Sequence, residues 1–249
     1  VIALLLALAL AQIQPDAREG GRASMREGGR STEKATAAPA VPYSFCAQLQ
    51  AGDQVGGWGC VNGDLTAGAG STLTWSAVGS PSTSSGITCA TPSKATFSAT
   101  DWVKSNNTTF PAADWSICAL VDLTPIGAGN YAVWSFGNGA NNAIMSQESS
   151  TVWVSYAATG GIITSLPPAT LLFACETFTA LTLQLYFNGV AGSNHASTFL
   201  DPGGSGWLFG SDGFTTGYRL PGPFLGGFVT EKALSGADVS RLFHAVTCS

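Results

Sequence analysis

The chain has 249 residues, 31 of them glycine, and only 10% are charged; this is long enough for one sizeable core, and turn-rich rather than helix-rich. From residue 41 onward there are 5 basic and 11 acidic residues, a balance that repels phosphate backbones and anionic membranes and so excludes nucleic acid as a partner class. All six cysteines lie beyond residue 45, with no CxxC and no Cys/His cluster at metal spacing, a usage that suits disulfides in an oxidising compartment and argues against zinc.

Val1 to Leu10 is an apolar run too short to span a bilayer, and Ala9-Leu10-Ala11 fits a small-x-small cleavage signal. Residues 1–11 therefore read as a truncated secretory signal; the bland alternative is a misplaced start with Met25 as initiator. Over residues 12–42 the segment Arg18-Glu19-Gly20-Gly21-Arg22 recurs as Arg26-Glu27-Gly28-Gly29-Arg30, followed by an Ala/Thr/Pro stretch. Low hydrophobicity and mixed charge leave nothing to bury, so this segment is expected to be a disordered linker.

From residue 43 to 249 short apolar runs alternate with Gly/Ser/Asn turns. Strands are expected near 72–78, 115–122, 131–136, 143–147, 151–156, 171–178, 181–187, 207–210 and 224–230. Leu181, Leu183, Leu185 and Phe187 alternate with Thr182, Gln184 and Tyr186, the period of a half-buried strand, and Asn188-Gly189 then supplies two φ > 0 residues for a tight hairpin. Only Ser235 to Val246 reads as helix: Ser235 is an N-cap, Asp238 stands three residues on, and Val239, Leu242 and Phe243 share a face. The class is all-β, a two-sheet antiparallel jelly-roll sandwich with one short C-terminal helix.

Four landmarks occur in order: Asp114-Trp-Ser-Ile-Cys118, then Ala174-Cys175-Glu-Thr-Phe, then Leu185-Tyr-Phe-Asn-Gly189, and finally Phe224-Leu-Gly226 with Ala233-Leu234-Ser235-Gly-Ala-Asp238. Together they resemble the concanavalin A-like lectin/glucanase superfamily, in particular laminin G-like and pentraxin-like domains, over roughly residues 110–245. The resemblance implies a concanavalin A-like jelly roll over 43–249 and a Cys118–Cys175 disulfide clamping the sandwich. Three pairings remain for Cys46, Cys60, Cys89 and Cys248, among which closeness in sequence favours Cys46–Cys60.

Glycosidases of that superfamily carry E-x-D-x-x-E on one strand; retention of configuration needs two carboxyls about 5–5.5 Å apart. No such cluster is present: Glu148 is followed by two serines, and Glu176 has no acidic neighbour at two or four residues. There is no G-x-S-x-G, and His195 and His244 sit in a polar loop and in the helix. The expectation is a non-enzyme.

Many relatives of the resembled family bind calcium at the rim, which makes Asp212, Asp201 and Asn138 the candidate ligands, with Asp122 at a strand end as an alternative; the competing reading makes Asp201 and Asp212 turn formers in Asp-Pro and Asp-Gly contexts. For a ligand, Trp153 lies with Thr151 on the polar side of its strand, and Tyr186 lies beside Gln184 on the polar side of another. Aromatic rings flanked by hydroxyl and amide groups suit pyranose stacking, against the alternative that Trp153 packs beneath a loop. Asn106 and Asn107 open two overlapping N-x-T sequons. The reading is a secreted or surface module that binds a glycan, or else an extracellular protein, with no membrane insertion. A diverged polysaccharide hydrolase and a structural or adhesive component of a cell surface or virus particle are the alternatives.

Overall fold

Two of the apolar runs, WSICALVD and LLFACETFT, have no polar alternation, and in the structure both strands are covered on both faces. The computed structural model describes residues 43–86, 88–107, 111, 113–124, 131–137, 142–147, 152–157, 160–165, 171–179, 181–196, 206–213 and 218–249, those from 137 to 165 by backbone alone. The signal and linker segments expected at 1–11 and 12–42 lie outside the described residues. In chain order the strands are β1 (Gly59–Asn62), β2 (Trp75–Val78), β3 (Ser82–Ser84), β4 (Lys94–Thr96), β5 (Trp102–Ser105), β6 (Trp115–Asp122), β7 (Tyr131–Gly137) and β8 (Asn142–Gln147). Next come β9 (Val152–Ala157), β10 (Gly160–Ser165), β11 (Leu171–Thr179), β12 (Thr182–Phe187), β13 (Val190–Ala196), β14 (Trp207–Phe209), β15 (Pro223–Thr230) and the helix α1 (Gly236–Thr247).

They form two antiparallel sheets. Sheet A runs β13-β12-β11-β6-β15-β4-β3, with β1 also paired to β15; sheet B runs β10-β9-β8-β7-β14-β5-β2. The fold is a β-sandwich with one C-terminal helix. Between the sheets lies a core of Ile117, Val121, Leu172, Leu183 and Leu185 with an aromatic cluster, in which Trp115, Trp134 and Trp207 stand 5.8–5.9 Å apart. A second core covers the outer face of sheet A, where α1 lays Val239, Leu242 and Val246 over Leu120, Phe173 and Phe228.

Local chemistry fixes where α1 sits. Ser235 Oγ accepts from the Asp238 N–H at 3.2 Å while Asp238 Oδ2 accepts from the Ser235 N–H, a reciprocal capping box. Ser116 Oγ of β6 accepts from the Leu234 N–H at 2.9 Å and donates to Lys232 O at 2.7 Å, tying the segment that leads into the helix to the sheet. At the other side Arg241 Nη2 donates to both oxygens of buried Asp53 at 2.7 Å.

The Asn188-Gly189 hairpin forms with φ of 50° and 78° and joins β12 to β13. Asn188 also reaches sideways: its Oδ1 accepts from the Phe173 N–H at 2.9 Å and its own N–H donates to Phe173 O at 2.8 Å. A side chain at Gly189 would press on Phe243 at 3.0 Å, so glycine is required both for the turn and for the seat of the helix.

Three disulfides join Cys46–Cys60, Cys118–Cys175 and Cys89–Cys248. Cys118 and Cys175 are directly opposed on adjacent strands of sheet A, with Cα atoms 4.1 Å apart, on the outer face beneath the helix. The expected Cys118–Cys175 bond is therefore present, and it staples neighbouring strands within one sheet. The placement of Leu181 is corrected, since it adopts φ 73° in a turn and is exposed, whereas Leu183, Leu185 and Phe187 do face the core.

Candidate functional site

The polar-side aromatic Tyr186 does not reach solvent. It is 8% exposed and belongs to the core under α1, with the Gly236 backbone packed against its ring, because the helix covers the face that alternation marks as polar. Gln184 is committed to the sheet: its Nε2 donates to Leu185, Gly192 and Ser193 carbonyls and fills the irregularity between β12 and β13. Tyr186 is thus covered by the helix, and Gln184 is engaged with the backbone of its own sheet. The side chains of Trp153 and Thr151 lie outside the described residues. The backbone of Trp153 is in β9 of sheet B, whereas Tyr186 is in β12 of sheet A, so the two do not share a sheet.

Of the calcium candidates, Asp201 and Asn138 lie outside the described residues. Asp212 is buried, and its N–H donates to Tyr218 O within the turn. Among the described residues no group of three or more His, Cys, Asp or Glu is placed to hold a metal ion. Glu176 is wholly buried on β11, on the side facing the other sheet. Also among the described residues, no helix is long and apolar enough to cross a membrane.

The structure offers a different site. Where α1 ends, the outer face of sheet A opens into a cleft of about 490 Å³, within the range of small-ligand sites. Its floor is aliphatic: Leu120 from β6, Leu225 from β15 and Val246 from the helix are all nearly buried, and Leu171 at the start of β11 is 38% exposed. Its lips are polar, with Ser84, Thr91, Lys94, Asp122 and Thr247.

Asp122 and Leu171 are directly opposed in the β6–β11 register and so stand side by side on the cleft face. Asp122 Oδ1 accepts from the Thr124 N–H at 2.9 Å and from its hydroxyl, a turn that holds the carboxylate in place. No hydrogen bond engages Asp122 Oδ2, and no ion pair engages Lys94, among the described residues.

One wall is formed by Ser85, Gly86 and the stretch from Cys89 to Pro92. Gly86 closes its neck, because any Cβ there would strike Pro92 and Ser93. Cys89 pins its tip to Cys248, just past the helix, which ends with Cys248 in the left-handed region at φ 53°. The wall is thus preformed. Of these lining residues the sequence singled out Asp122, as a further calcium candidate, and Cys89, as a half-cystine; the lining as a whole comes from five separated stretches, and the one signal that drew any of them together was that pairing Cys46 with Cys60 and Cys118 with Cys175 leaves Cys89 for Cys248.

A second depression, of about 450 Å³, is lined by Ser80, Ser82, Ser98, Thr100 and Asp101. There the carboxylate serves the loop itself, accepting from the Ser98 and Ser80 N–H groups at 2.8 Å each. Burial pushes the Asp101 pKa up, but the Ser98 and Ser80 hydrogen bonds outweigh it and hold the group below the ordinary aspartate value.

No family model matches the chain, and no curated protein matches it. Solved structures do. Domain 4 of AbnA, a GH43 extracellular arabinanase from Geobacillus stearothermophilus, in complex with arabinotriose, matches with TM-score 0.55 and 13% identity over 74% of this chain and 96% of that one. The binding domain of Paraclostridial Mosquitocidal Protein 1 matches with TM-score 0.58 and 16% identity, covering 79% of this chain and 53% of that one. The binding domain of Botulinum Neurotoxin DC in complex with SialylT gives TM-score 0.56 and 13% identity over 76% and 50%. The chain thus spans about half the length of the two toxin domains. At these identities the likeness is one of fold, the β-sandwich.

Proposed function

We propose that the protein is a non-catalytic carbohydrate-recognition module of the laminin G-like type, acting outside the cell, with the cleft at the end of α1 as its binding site. The observation that carries this reading is the cleft itself: a hollow with an aliphatic floor and hydroxyl-rich lips on the outer face of sheet A. The match along nearly the whole of an arabinotriose-bound domain supports it. Three disulfides support an oxidising compartment. The resemblance to laminin G-like domains rests on Cys118, Cys175, the Asn188-Gly189 hairpin and the Leu234-Ser235 turn, all of which lie in or against sheet A.

Recognition without turnover fits the placement of Glu176, which is sealed inside the sandwich, and of Asp122, whose cleft holds no second carboxylate among its lining residues. The test is a glycan array probed with the full chain, together with a reducing-sugar assay on the glycans that bind. Binding with no sugar release is expected. Sugar release abolished by Asp122→Asn would replace the reading with a hydrolase, and an array with no bound glycan would end it.

A further inference from the structure

We infer that the cleft selects a sugar carrying an acetamido group, an N-acetylhexosamine unit, over its unacetylated counterpart; this rests on the carbohydrate reading above. The cleft has no aromatic ring among its lining residues, so the stacking platform that holds a bare pyranose is missing. Its apolar surface consists of branched aliphatic groups and prolines, which suit a methyl group better than a flat sugar face. Affinity must then come from a ligand that combines a methyl with a strong hydrogen-bond donor.

The Asp122–Leu171 pair has that geometry. Directly opposed residues on antiparallel strands hold their Cβ atoms roughly 4.5–5.5 Å apart. An acetamido group carries its N–H and its methyl on the same edge, about 2.5 Å apart, so a hydrogen bond of about 2.9 Å at one and a van der Waals contact of about 3.8 Å at the other reach two side chains held at that separation. The N–H donates to Asp122 Oδ2, the carboxylate oxygen left open by the Thr124 turn, in a charge-assisted bond. The methyl then falls on Leu171 and on the floor of Leu225 and Val246. Lys94, across the cleft, donates to the amide carbonyl or a ring hydroxyl, and Ser84 and Thr247 serve the remaining hydroxyls. A sugar carboxylate directed at Asp122 is repelled, so a neutral acetylated sugar is favoured over an acidic one.

The experiment is calorimetric titration of the full chain with N,N′-diacetylchitobiose and, in parallel, cellobiose, with saturation-transfer NMR to see which ligand protons touch the protein. The acetylated disaccharide is expected to bind about tenfold or more tightly, with its acetyl methyls most strongly saturated. Leu171→Asp, at a half-exposed position, and Asp122→Ala should each remove about tenfold or more of that affinity, with the melting curve as a control on folding. Lys94→Ala is a further variant that cannot disturb the core. Equal binding of the two disaccharides, or binding indifferent to all three substitutions, overturns the inference while leaving carbohydrate recognition standing. Failure of every array glycan, acetylated ones included, overturns both.

Discussion

Serine at both Cys89 and Cys248 would release the loop wall of the cleft and the tail of α1 at once. The bond closes a span of 159 residues, but Cys118–Cys175 already shortcuts 57 of them. The closure it adds is therefore about a hundred residues, worth about 4–5 kcal/mol in a chain-entropy model, against about 3 kcal/mol for the 14-residue Cys46–Cys60 loop. Cys248 is exposed at the end of the helix, so the native state relaxes around the missing bond and the measured loss should fall at about 3–4 kcal/mol. Urea unfolding under non-reducing conditions, followed by tryptophan fluorescence and circular dichroism, measures it. The same exposure makes this the first bond to yield to a thiol reductant, since Cys118–Cys175 lies buried beneath the helix. A loss below about 1 kcal/mol, or earlier reduction of Cys118–Cys175, would refute the reasoning.

Three further predictions concern the scaffold. Arg241→Ala strands the buried Asp53 carboxylate and should cost about 2–4 kcal/mol in urea unfolding, while Asp53→Asn combined with Arg241→Met should cost less than the single change. Asp101 and Asp238 are both held below the ordinary aspartate pKa. In each case burial is the largest single cause and raises the pKa, but contributions that together outweigh it lower it: the Ser98 and Ser80 hydrogen bonds for Asp101, and the Ser235 hydrogen bonds with the Lys232 and Arg241 charges for Asp238. Their stabilisation is therefore complete above about pH 4 and is lost as pH falls through the lowered values, so Asp101→Asn and Asp238→Asn should flatten the acid limb of a Tm–pH profile. Tyr43 behaves in the opposite sense. Burial pushes its pKa up to about 12 while its hydroxyl donates to Val246 O at 2.6 Å. The stabilisation is whole below about pH 10 and is lost as pH rises through about 12, and Tyr43→Phe should lessen that alkaline decline in thermal melts.

Much of the sandwich was legible because its central strands carry local signatures. WSICALVD reads as a strand over 115–122 and forms one over Trp115–Asp122, since burial on both faces leaves an unbroken apolar run. The Asn188-Gly189 hairpin and the Ser235/Asp238 capping box are equally local, which is why the hairpin and the start of the helix agree with expectation. The strands that escaped notice include short or polar ones, β3 and β4 with three residues each and β13, an exposed edge reading VAGSNHA held by its pairing to β12, together with β1, β5 and β10. Alternation placed Tyr186 on the face opposite Leu185 but carried no information about what covers that face. That depends on a helix fifty residues later in the chain.

The candidate site was the least legible part, for a related reason. Asp122 and Leu171 meet only through strand register, and Thr91 and Thr247 stand across one cleft because a disulfide closes the chain over 159 residues. Trp153 and Tyr186, which are both aromatic with polar neighbours in sequence, belong to different sheets. Composition and spacing do not encode such juxtapositions; topology does.

The account stands on the cleft as the place where ligand binds. Backbone and methyl NMR of the full chain, titrated with N,N′-diacetylchitobiose, reads this directly. The account predicts that shifted resonances gather at Leu171, Leu225, Val246, Asp122 and Thr247, with Leu183 and Leu185 of the inter-sheet core unmoved. Shifts that gather instead on sheet B, around Trp153, with the cleft resonances unchanged, would contradict it.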